Sequence, residues 1–532
     1  MLSRTSLFAL LGIGLLACGG DDPVVTSPIG DAGGDGSAAL AIAPVNTVTI
    51  IDLAAKAGTA VTYKVTDGTN DVSSTAALTL DDPTLGTFAG PVFTSALGLP
   101  KGASVANTNV HATAAGRNVS TGLWLGALRK SGTHRDLLFT AAAGSFAPQR
   151  DLLQMQVTVN GVDVAFLVQS SGSMGGSMTN FQTALGFTAI PNLVKAIPSL
   201  NVGVADFVDY PVNPFGNFDD YPVKVRQVSS PTTQDSVAAL QALKANGGSD
   251  LPSSALPAMH YLLTGEALTW PSGSLPAHVS PSGRFGGADF RSDAAAFVVA
   301  VTNTDWHDTA TSPYSFTAPT MADVKKDFAS TGVRYIGVTD ISGSEAQAND
   351  LSDATKSNVP PAAFGGKCGV GQCCTGVSDA ARAPAGPGGT CRLNFLTSGG
   401  AGFGTGVTTA IQAATYGAKY DVKVVLRNEP TNPGGVDATL FLKVPEALAA
   451  GDVPTGCVAN PAKDTDADGV ADTFTSVGVG TPVCFQFAPK AAITPAATDK
   501  PQLFVAYADV VGMPGNVKLD TRVVLFVVPA KN

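Results

Sequence analysis

Two hydrophobic patterns alternate along this chain. In residues 39–160, short apolar runs alternate in places with polar positions and are separated by Gly, Asp and Pro, a pattern that predicts antiparallel strands. The same pattern returns in residues 421–532. We therefore expect one β-sandwich domain at 39–160 and another at 421–532. The clearest runs are TVTIIDL, AVTYKVTD and LLQMQVTVNG in the first region, and DVKVVLRN, PQLFVAYADVVG and TRVVLFVVP in the second.

Residues 161–420 differ, because unbroken apolar runs alternate there with segments of helical periodicity. Strands that are buried on both faces lose the alternation of polar and apolar positions, since helices cover both sides of their sheet. The predicted fold class is a multidomain protein with a central α/β, doubly wound and mostly parallel sheet, flanked by all-β sandwich domains. Strands are expected at 162–168, 201–208, 297–301 and 333–338, with an antiparallel strand at 224–228, and helices at 179–197, 234–244, 252–263, 321–330, 345–355 and 406–416.

The amino terminus has the features of an export signal. Arg4 precedes an apolar stretch, residues 7–17, that is too short to span a bilayer as a helix. The stretch ends in LLAC, which resembles a bacterial lipobox and implies a signal peptide at 1–18 and lipidation of Cys18. The alternative is an ordinary secretory signal in which the cysteine is fortuitous. Residues 19–38, rich in Gly, Asp, Ser and Pro, are expected to form a flexible tether.

Composition narrows the range of partners. The chain has 32 Lys and Arg against 42 Asp and Glu, a net charge of −10, so it lacks the basic face that nucleic acid requires. No other apolar run is long enough to span a bilayer, so a lipid is the only membrane anchor expected. These features predict an exported protein, lipid-anchored in the bacterial cell envelope at the outer membrane or the cell surface.

Six cysteines remain once Cys18 is set aside, an even number that predicts three disulfides in an exported chain. Cys457 and Cys484 are expected to pair with each other. The other four lie in a Gly-, Pro- and Ala-rich insertion, residues 360–392, which cannot build a core of its own. Either two disulfides staple this insertion to the surface or it forms a binding loop, and a zinc site on the four thiols is the alternative to the disulfides. The four are Cys368, Cys373, Cys374 and Cys391.

Four segments of the α/β region, taken in order, resemble a known family. They are FLVQSSGSM, VGVADFVDYPVNPFG, GGSDLPSSAL and FVVAVTNTDWHD. Together they resemble a von Willebrand factor type A domain, and more closely the inserted domain of integrin β subunits, over residues 161–420. The resemblance implies a parallel sheet whose strand-end loops bind a protein partner. The strands of residues 39–160 are similar in length and spacing to those of bacterial immunoglobulin-like sandwiches.

The same resemblance implies a metal site, which the family writes as D-x-S-x-S in its first loop. Ser171 and Ser173 match the two serines, and Ser249 stands where the family has a metal-binding threonine. Gln169 and Asn303 replace two aspartates of the family, so two negative charges that would face a divalent cation are lost.

Two outcomes stay open for this site. Asp250 and Asp305 lie near ligand positions in the sequence and can compensate for the missing carboxylates, in which case Mg²⁺ or Mn²⁺ binds. Without such compensation the site is metal-free or binds metal weakly. If a metal is bound, the resemblance implies that an Asp or Glu of the protein partner completes its coordination shell.

A second metal signal lies in the carboxyl-terminal region. Asp464, Asp466 and Asp468 are followed by a glycine, and Asp472 is the ninth residue of the loop 464–472. This spacing puts several carboxylates inside one tight turn. The glutamate that ends an EF-hand loop is missing, and D-x-D-x-D-G-x-x-D instead resembles a thrombospondin type 3 calcium loop. Ca²⁺ is therefore the expected ion, and an acidic surface turn is the alternative.

No catalytic pattern accompanies these sites. The sequence contains no G-x-S-x-G turn, H-E-x-x-H motif or Walker loop. Of five histidines, only His307 lies near the expected ligand edge, and a structural hydrogen bond is its predicted role. The predicted function is adhesion or protein recognition without enzymatic activity. A structural envelope component that has lost its metal site is the rival prediction, and an exported hydrolase is a third.

Overall fold

The computed structural model describes residues 39–142, 145–159, 161–340, 345–417, 419–449, 453–490, 495–513 and 516–531. The expected signal peptide at 1–18, Cys18 and the tether at 19–38 lie outside the described residues. Within the described part of the chain, no helix combines the length and the apolar character needed to cross a membrane.

The fold class predicted from the sequence is wrong for the chain as a whole, because the protein is β-rich. It is 38% strand and 21% helix, and the described strands form nine sheets. The expected doubly wound, von Willebrand factor A-like core is therefore not the fold class of this protein. The α/β part is limited to one six-stranded sheet with its helices. The prediction failed because local periodicity identifies strands and helices but does not show how distant strands pair.

The first β region consists of three small sheets with a common apolar core. Its strands are β1 (Leu40–Ala43), β2 (Thr47–Asp52), β3 (Ala60–Thr62), β4 (Lys64–Asp67), β5 (Asn70–Asp71), β6 (Ala77–Leu80), β7 (Gly86–Ala89), β8 (Val92–Ser95), β9 (Val105–Ala114) and β10 (Arg117–Leu128). The sheet orders are β1-β4-β5, β2-β10-β9-β6 and β3-β8-β7. Ile51, Tyr63, Phe93 and Leu125 are buried together in the shared core. Three further strands follow: β11 (Leu137–Ala142), β12 (Ser145–Ala147) and β13 (Asp151–Gln156).

The six-stranded sheet carries the candidate site. The strands of this region are β14 (Val162–Gln169), β15 (Leu200–Phe207), β16 (Lys224–Ser230), β17 (Leu268–Trp270), β18 (Gly273–Leu275), β19 (Arg284–Phe285), β20 (Phe290–Arg291), β21 (Ala295–Thr302), β22 (Arg334–Asp340), β23 (Asn358–Val359), β24 (Cys391–Arg392) and β25 (Asn394–Thr397). The sheet order is β16-β15-β14-β21-β22-β25. All neighbours are parallel except β16, an edge strand that corresponds to the antiparallel strand predicted at 224–228. Every residue of β14, β15 and β21 is buried.

Helices bury both faces of this sheet. They are α1 (Met178–Thr183), α2 (Ile190–Ala196), α3 (Thr233–Gln241), α4 (Ala255–Thr264), α5 (Met321–Thr331), α6 (Glu345–Ala354) and α7 (Gly404–Tyr416). Phe166 of β14 packs in a core with residues of α1, α2 and α7, whereas Leu167 packs with residues of α4, α5 and α6. The single helix expected at 179–197 is interrupted by a π turn, Ala184–Ala189. The turn lies just before Pro191, which has no N–H to continue an α-helical hydrogen-bond pattern.

The carboxyl-terminal sandwich is completed by strands that precede the six-stranded sheet. Its own strands are β26 (Lys419–Asn428), β27 (Glu446–Ala447), β28 (Ala462–Lys463), β29 (Thr473–Gly478), β30 (Pro482–Phe487), β31 (Gln502–Met513) and β32 (Val517–Val528). The two sheets are β12-β11-β32-β31-β26-β29-β28 and β13-β30-β27, and they share buried Phe139, Met155, Phe485 and Phe526. The boundary predicted at residue 160 is therefore wrong. The parallel pairing of β11 with β32 joins segments so far apart that no local pattern indicates it.

The described residues form three disulfides, as the cysteine count predicts. Cys457 pairs with Cys484, Cys368 with Cys374, and Cys373 with Cys391. The last two bridges close the insertion at 360–392 onto the apolar core under the sheet, where Cys373, Cys374 and Cys391 are buried. All four thiols of the insertion are used in these bridges, so the alternative zinc site on them is excluded.

A buried ion pair fixes the start of β14. The side chain of Asp163 is fully buried and accepts hydrogen bonds from the side-chain Nε (2.7 Å) and the backbone N–H (2.6 Å) of Arg291. The guanidinium also donates to Ser199 Oγ at 2.8 Å. Removing one partner from such a pair leaves the other charge buried without compensation, which is costly.

We expect Asp163→Asn to lower the free energy of unfolding by about 3 kcal/mol or more, because Arg291 then lacks its counter-charge. Urea denaturation followed by intrinsic fluorescence measures this change. The matched control is Asp350→Asn, which removes the exposed pair of Asp350 with Lys325 and should cost under about 1 kcal/mol. Equal losses in the two variants would contradict the structural role of Asp163.

Candidate functional site

Three loops meet at the carboxyl edge of the six-stranded sheet. β14 lies between β15 and β21, and all three strands run in the same direction, so the loops that follow them emerge side by side. The expected proximity of Gln169 and Asn303 is confirmed, since the backbone N–H of Asn303 donates to Gln169 Oε1 at 3.0 Å. The loop before α4 joins the same edge, where Gly172 N–H donates to Gly247 O at 2.9 Å.

Hydrogen bonds join five residues of this edge into a closed network, which we name the serine crevice. Its residues are Gln169, Ser171, Ser173, Asn303 and Thr304. Because Gln169 Oε1 accepts from a backbone N–H, its Nε2 faces the other way and donates to Ser171 Oγ (2.8 Å) and Thr304 Oγ1 (2.9 Å). The two serine hydroxyls are bonded to each other at 2.9 Å. Ser173 Oγ then donates to Asn303 Oδ1 at 2.9 Å, and Asn303 Nδ2 returns a bond to Ser173 O at 2.8 Å.

The polar groups of the serine crevice therefore satisfy one another's hydrogen bonds, and the crevice carries no charge. The sequence correctly brings Ser171, Ser173 and Asn303 together, but none of the five side chains is a carboxylate. An amide N–H of Gln169 points at Ser171, the side chain that would bind a cation, and a cation there would have to displace this donor. Polar groups that bond to one another need no ion to hold their geometry.

The other predicted ligands do not join this ring. Ser249 is exposed, and its hydroxyl donates to Asn217 Oδ1 at 3.0 Å. Asp250 Oδ2 lies 3.3 Å from His307 Nε2 instead. Asp305 has an exposed side chain, and its backbone carbonyl accepts from Ser253 N–H at 2.9 Å. The structure therefore does not place these three residues around the serines; for Ser249 and Asp250, the loop before α4 is bonded to the loop after β15 instead.

That bonding fixes the two loops against each other. Asp220 Oδ2 accepts from the backbone N–H groups of Asn217 (2.5 Å) and Gly248 (2.9 Å). Gly247 has φ +79°, and a Cβ on it would come within 1.9 Å of Asp220 Oδ1, so only glycine fits this close approach. The backbones of the two loops are therefore fixed against each other.

Below these loops lies a cluster of ionisable side chains that the sequence reveals only in part. His307 and Asp209 are each 1% exposed, and His307 Nε2 lies 3.4 Å from Asp209 Oδ2 and 3.3 Å from Asp250 Oδ2. Burial raises the pKa of Asp209 and of Asp250. Burial also works to lower the pKa of His307, but Asp209, the Ser312 carbonyl and Asp250 outweigh it and raise that pKa.

Asp209 is the member of this cluster that sequence reasoning missed. It follows β15 at the carboxyl edge, inside the segment VGVADFVDYPVNPFG, so its position after a buried strand was the available signal. His307 was expected to make a structural hydrogen bond. It does make one, through Nδ1 to Ser312 O at 2.8 Å, but its second nitrogen faces the two carboxylates.

The Asp-rich loop is folded by its own carboxylates. Asp464 accepts from the backbone N–H groups of Ala467 (2.7 Å) and Gly469 (2.8 Å), and these bonds, that of Gly469 foremost, lower its pKa. Desolvation and the neighbouring Asp468 raise the pKa of Asp466. Carboxylate oxygens of Asp464, Asp466 and Asp468 all lie within 4.8 Å of one another. Asp472 instead accepts from Thr465 Oγ1 at 2.6 Å.

We expect native protein to show no Mg²⁺ binding at the serine crevice, and Gln169→Asp combined with Asn303→Asp to create it. The substitutions replace two amides with carboxylates and leave the hydroxyls of Ser171 and Ser173 as ligands. Isothermal calorimetry with Mg²⁺ compares the double variant with native protein. Adding Ser173→Ala is the control and should remove the gained heat. A native Mg²⁺ signal that Ser173→Ala abolishes would contradict this view of the crevice.

Comparisons with known proteins leave the chain without an assigned family. No family model matches it, and no curated protein matches it either. Solved structures with some similarity include proximal thread matrix protein 1 from the mussel byssus, with 8% identity, a TM-score of 0.25, and coverage of 49% of this chain and 48% of that one. Another is the pilus adhesin SpaC from Lactobacillus rhamnosus GG in its open conformation, with 10% identity, a TM-score of 0.27, and coverage of 73% and 46%. The chain spans about half the length of each, and similarity at this level supports no conclusion about fold or function.

Proposed function

We propose that this chain is an exported, lipid-anchored protein of the bacterial cell envelope that recognises a protein partner through the loops at the carboxyl edge of its six-stranded sheet. The role is binding, and no reaction is proposed. The observation that carries the proposal is a pair of large apolar side chains, Phe218 and Leu251, which are 94% and 76% exposed on these loops.

The rigidity of the loops gives these two side chains their significance. Single exposed apolar residues are common on protein surfaces. Phe218, however, follows Asn217, whose side chain bonds to Gly248 O (3.2 Å) and to Ser249 Oγ (3.0 Å), and Leu251 lies two residues beyond Ser249. A loop whose backbone is already fixed in the free protein loses little conformational entropy when the aromatic side chain that it exposes binds a partner.

Polar groups lie on the same edge of the sheet as these apolar side chains. Ser249 and the acidic Asp305 are exposed there, and Ser173 and Asn303 form the outer side of the serine crevice. Apolar anchors with a polar rim are the usual organisation of a protein interface. Since the crevice is neutral, we propose that the partner binds through apolar contacts and hydrogen bonds, without an ion bridging to one of its carboxylates.

The proposal predicts that Phe218→Ser combined with Leu251→Ser weakens partner binding by about 30-fold or more, as expected when a hot spot worth about 2 kcal/mol is lost. The full chain is displayed on a non-adherent bacterium, and retention of the cells is measured on immobilised collagen, fibronectin and mucin and on a layer of the same displaying cells.

Val279→Ser is the matched control, because Val279 is 89% exposed on a loop that is bonded to the end of α4 and not to the candidate site. Retention should survive this change. Retention that is unaffected by the double variant, or that falls equally with Val279→Ser, would contradict the proposed surface. Failure of native protein to be retained on any layer would favour a structural envelope component.

We also propose that the Asp-rich loop binds Ca²⁺ and stiffens the sandwich. Three clustered carboxylates, closed within the loop of the Cys457–Cys484 bridge, support this role. The thermal midpoint of native protein should rise with added Ca²⁺, because a ligand that binds only the folded state stabilises it. Differential scanning fluorimetry measures the shift. Asp468→Asn should abolish it, and an undiminished shift in that variant would place the ion elsewhere.

A further inference from the structure

Two carboxylates and an imidazole converge at the carboxyl edge of the sheet, and each comes from a different loop. Asp209 follows β15, Asp250 precedes α4, and His307 follows β21. One atom of each lies in the same small space: Asp209 Oδ2 and Asp250 Oδ2 are 3.4 and 3.3 Å from His307 Nε2, and all three atoms fall within 4.8 Å of one another. From this geometry we infer that Asp209, Asp250 and His307 form a divalent transition-metal centre, with Zn²⁺ as the best-fitting ion.

The two distances from His307 Nε2 match the edge of a tetrahedral metal shell. Zn²⁺ binds nitrogen and oxygen at about 2.0–2.1 Å, which separates neighbouring ligand atoms in a tetrahedron by about 3.3 Å. The same contacts do not have hydrogen-bond geometry. Asp209 Oδ2 and His307 Nε2 are both buried, and neither forms a hydrogen bond with any residue that the structure describes. Buried polar atoms without partners are uncommon, and an ion between them provides the missing interaction.

Each ligand is oriented through its other polar atom. His307 Nδ1 lies 2.8 Å from the carbonyl of Ser312, and a carbonyl only accepts, so Nδ1 carries the proton and Nε2 keeps a lone pair in the neutral ring. Asp209 Oδ1 accepts from Tyr210 N–H and Tyr314 Oη, both at 2.7 Å, which leaves Oδ2 free. Such supporting bonds fix the tautomer and the direction of metal ligands.

Aromatic rings keep the buried side of the centre dry. Tyr314 and Phe215 pack against the His307 ring at centroid distances of 4.2 and 5.1 Å, and Phe316 packs against Tyr314 at 5.1 Å. These rings exclude water from the buried side of the cluster. Electrostatic attraction between a cation and its ligands is stronger in such a low-dielectric environment. The Asp250 side chain is 29% exposed, so an ion can reach the cluster from the side of Asp250.

The donor set selects among metals. An imidazole with two carboxylates suits Zn²⁺ and related transition metals, whereas Mg²⁺ and Ca²⁺ favour shells of six or more oxygens. The inference is independent of the proposed recognition function, since a metal here requires no partner. The competing arrangement is a protonated His307 shared between Asp209 and Asp250, with no metal.

The test titrates the full chain, stripped with a chelator, with Zn²⁺ at neutral pH by isothermal calorimetry, and uses Co²⁺ as a spectroscopic probe of tetrahedral geometry. Native protein should bind one Zn²⁺ tightly and show the visible bands of tetrahedral Co²⁺. Asp250→Asn and His307→Gln should each weaken Zn²⁺ binding about 100-fold or more, because each removes a ligand. Asp305→Asn, an exposed carboxylate two residues before His307, is the matched control and should leave the affinity unchanged.

Native protein that takes up no Zn²⁺ or Co²⁺, or an Asp250→Asn variant that binds as tightly as native protein, would overturn the inference in favour of the protonated imidazole. Circular dichroism checks the fold of the variants. If His307→Gln does not fold, the Asp250→Asn variant, at a partly exposed position, decides between the metal centre and the protonated imidazole. Phe218→Ser with Leu251→Ser should leave the Zn²⁺ titration unaffected, so loss of the proposed recognition function and loss of the metal centre are distinguishable.

Discussion

The parallel pairing of β14 with β15 and β21 is the constraint on which the candidate site depends. All eight residues of each strand are buried, so a shift in register would move apolar side chains away from the helices that cover them. The three strands also end at the same level of the sheet. The loop with Ser171 and Ser173, Asp209, and the segment from Asn303 to His307 therefore emerge at one edge. The ion pair of Asp163 with Arg291 fixes the opposite end of the same strand.

At that edge the chain has two neighbouring sets of polar groups with opposite requirements. The serine crevice contains amides and hydroxyls, which satisfy one another without net charge. The cluster of Asp209, Asp250 and His307 contains the charges, and two of its buried atoms, Asp209 Oδ2 and His307 Nε2, lack hydrogen-bond partners within the described structure. An amide in place of a carboxylate removes the attraction for a cation but keeps the hydrogen bonds that shape the loop.

Much of this arrangement could be predicted from sequence where the signal is local. The unbroken apolar runs located β14, β15, β21 and β22 to within about two residues, and the antiparallel strand predicted at 224–228 was also correct. Cysteine number and spacing indicated the three disulfides. Ser171, Ser173 and Asn303 were brought together as the resemblance implied, because each follows a strand whose end can be seen in the sequence.

The features that could not be predicted depend on distant pairing or on side-chain direction. β11 and β13 belong to the carboxyl-terminal sandwich through pairings with β32 and β30, which local alternation does not reveal, and this is why the overall fold class was wrong. Asp250 was assigned to the serines because it is close to Ser249 in sequence. Its side chain turns instead to His307, since Asp220 and Gly247 set the path of that loop.

The most direct test of where the carboxyl edge of the sheet holds an ion is anomalous diffraction at the zinc absorption edge. The crystals contain the full chain and are soaked in Zn²⁺ and Mg²⁺ together. We expect one anomalous peak between Asp209, Asp250 and His307, with no ion density between Ser171 and Ser173. An ion bound between the two serines, or no anomalous peak at the imidazole, would contradict the assignment of charge and neutrality to these two sets of residues.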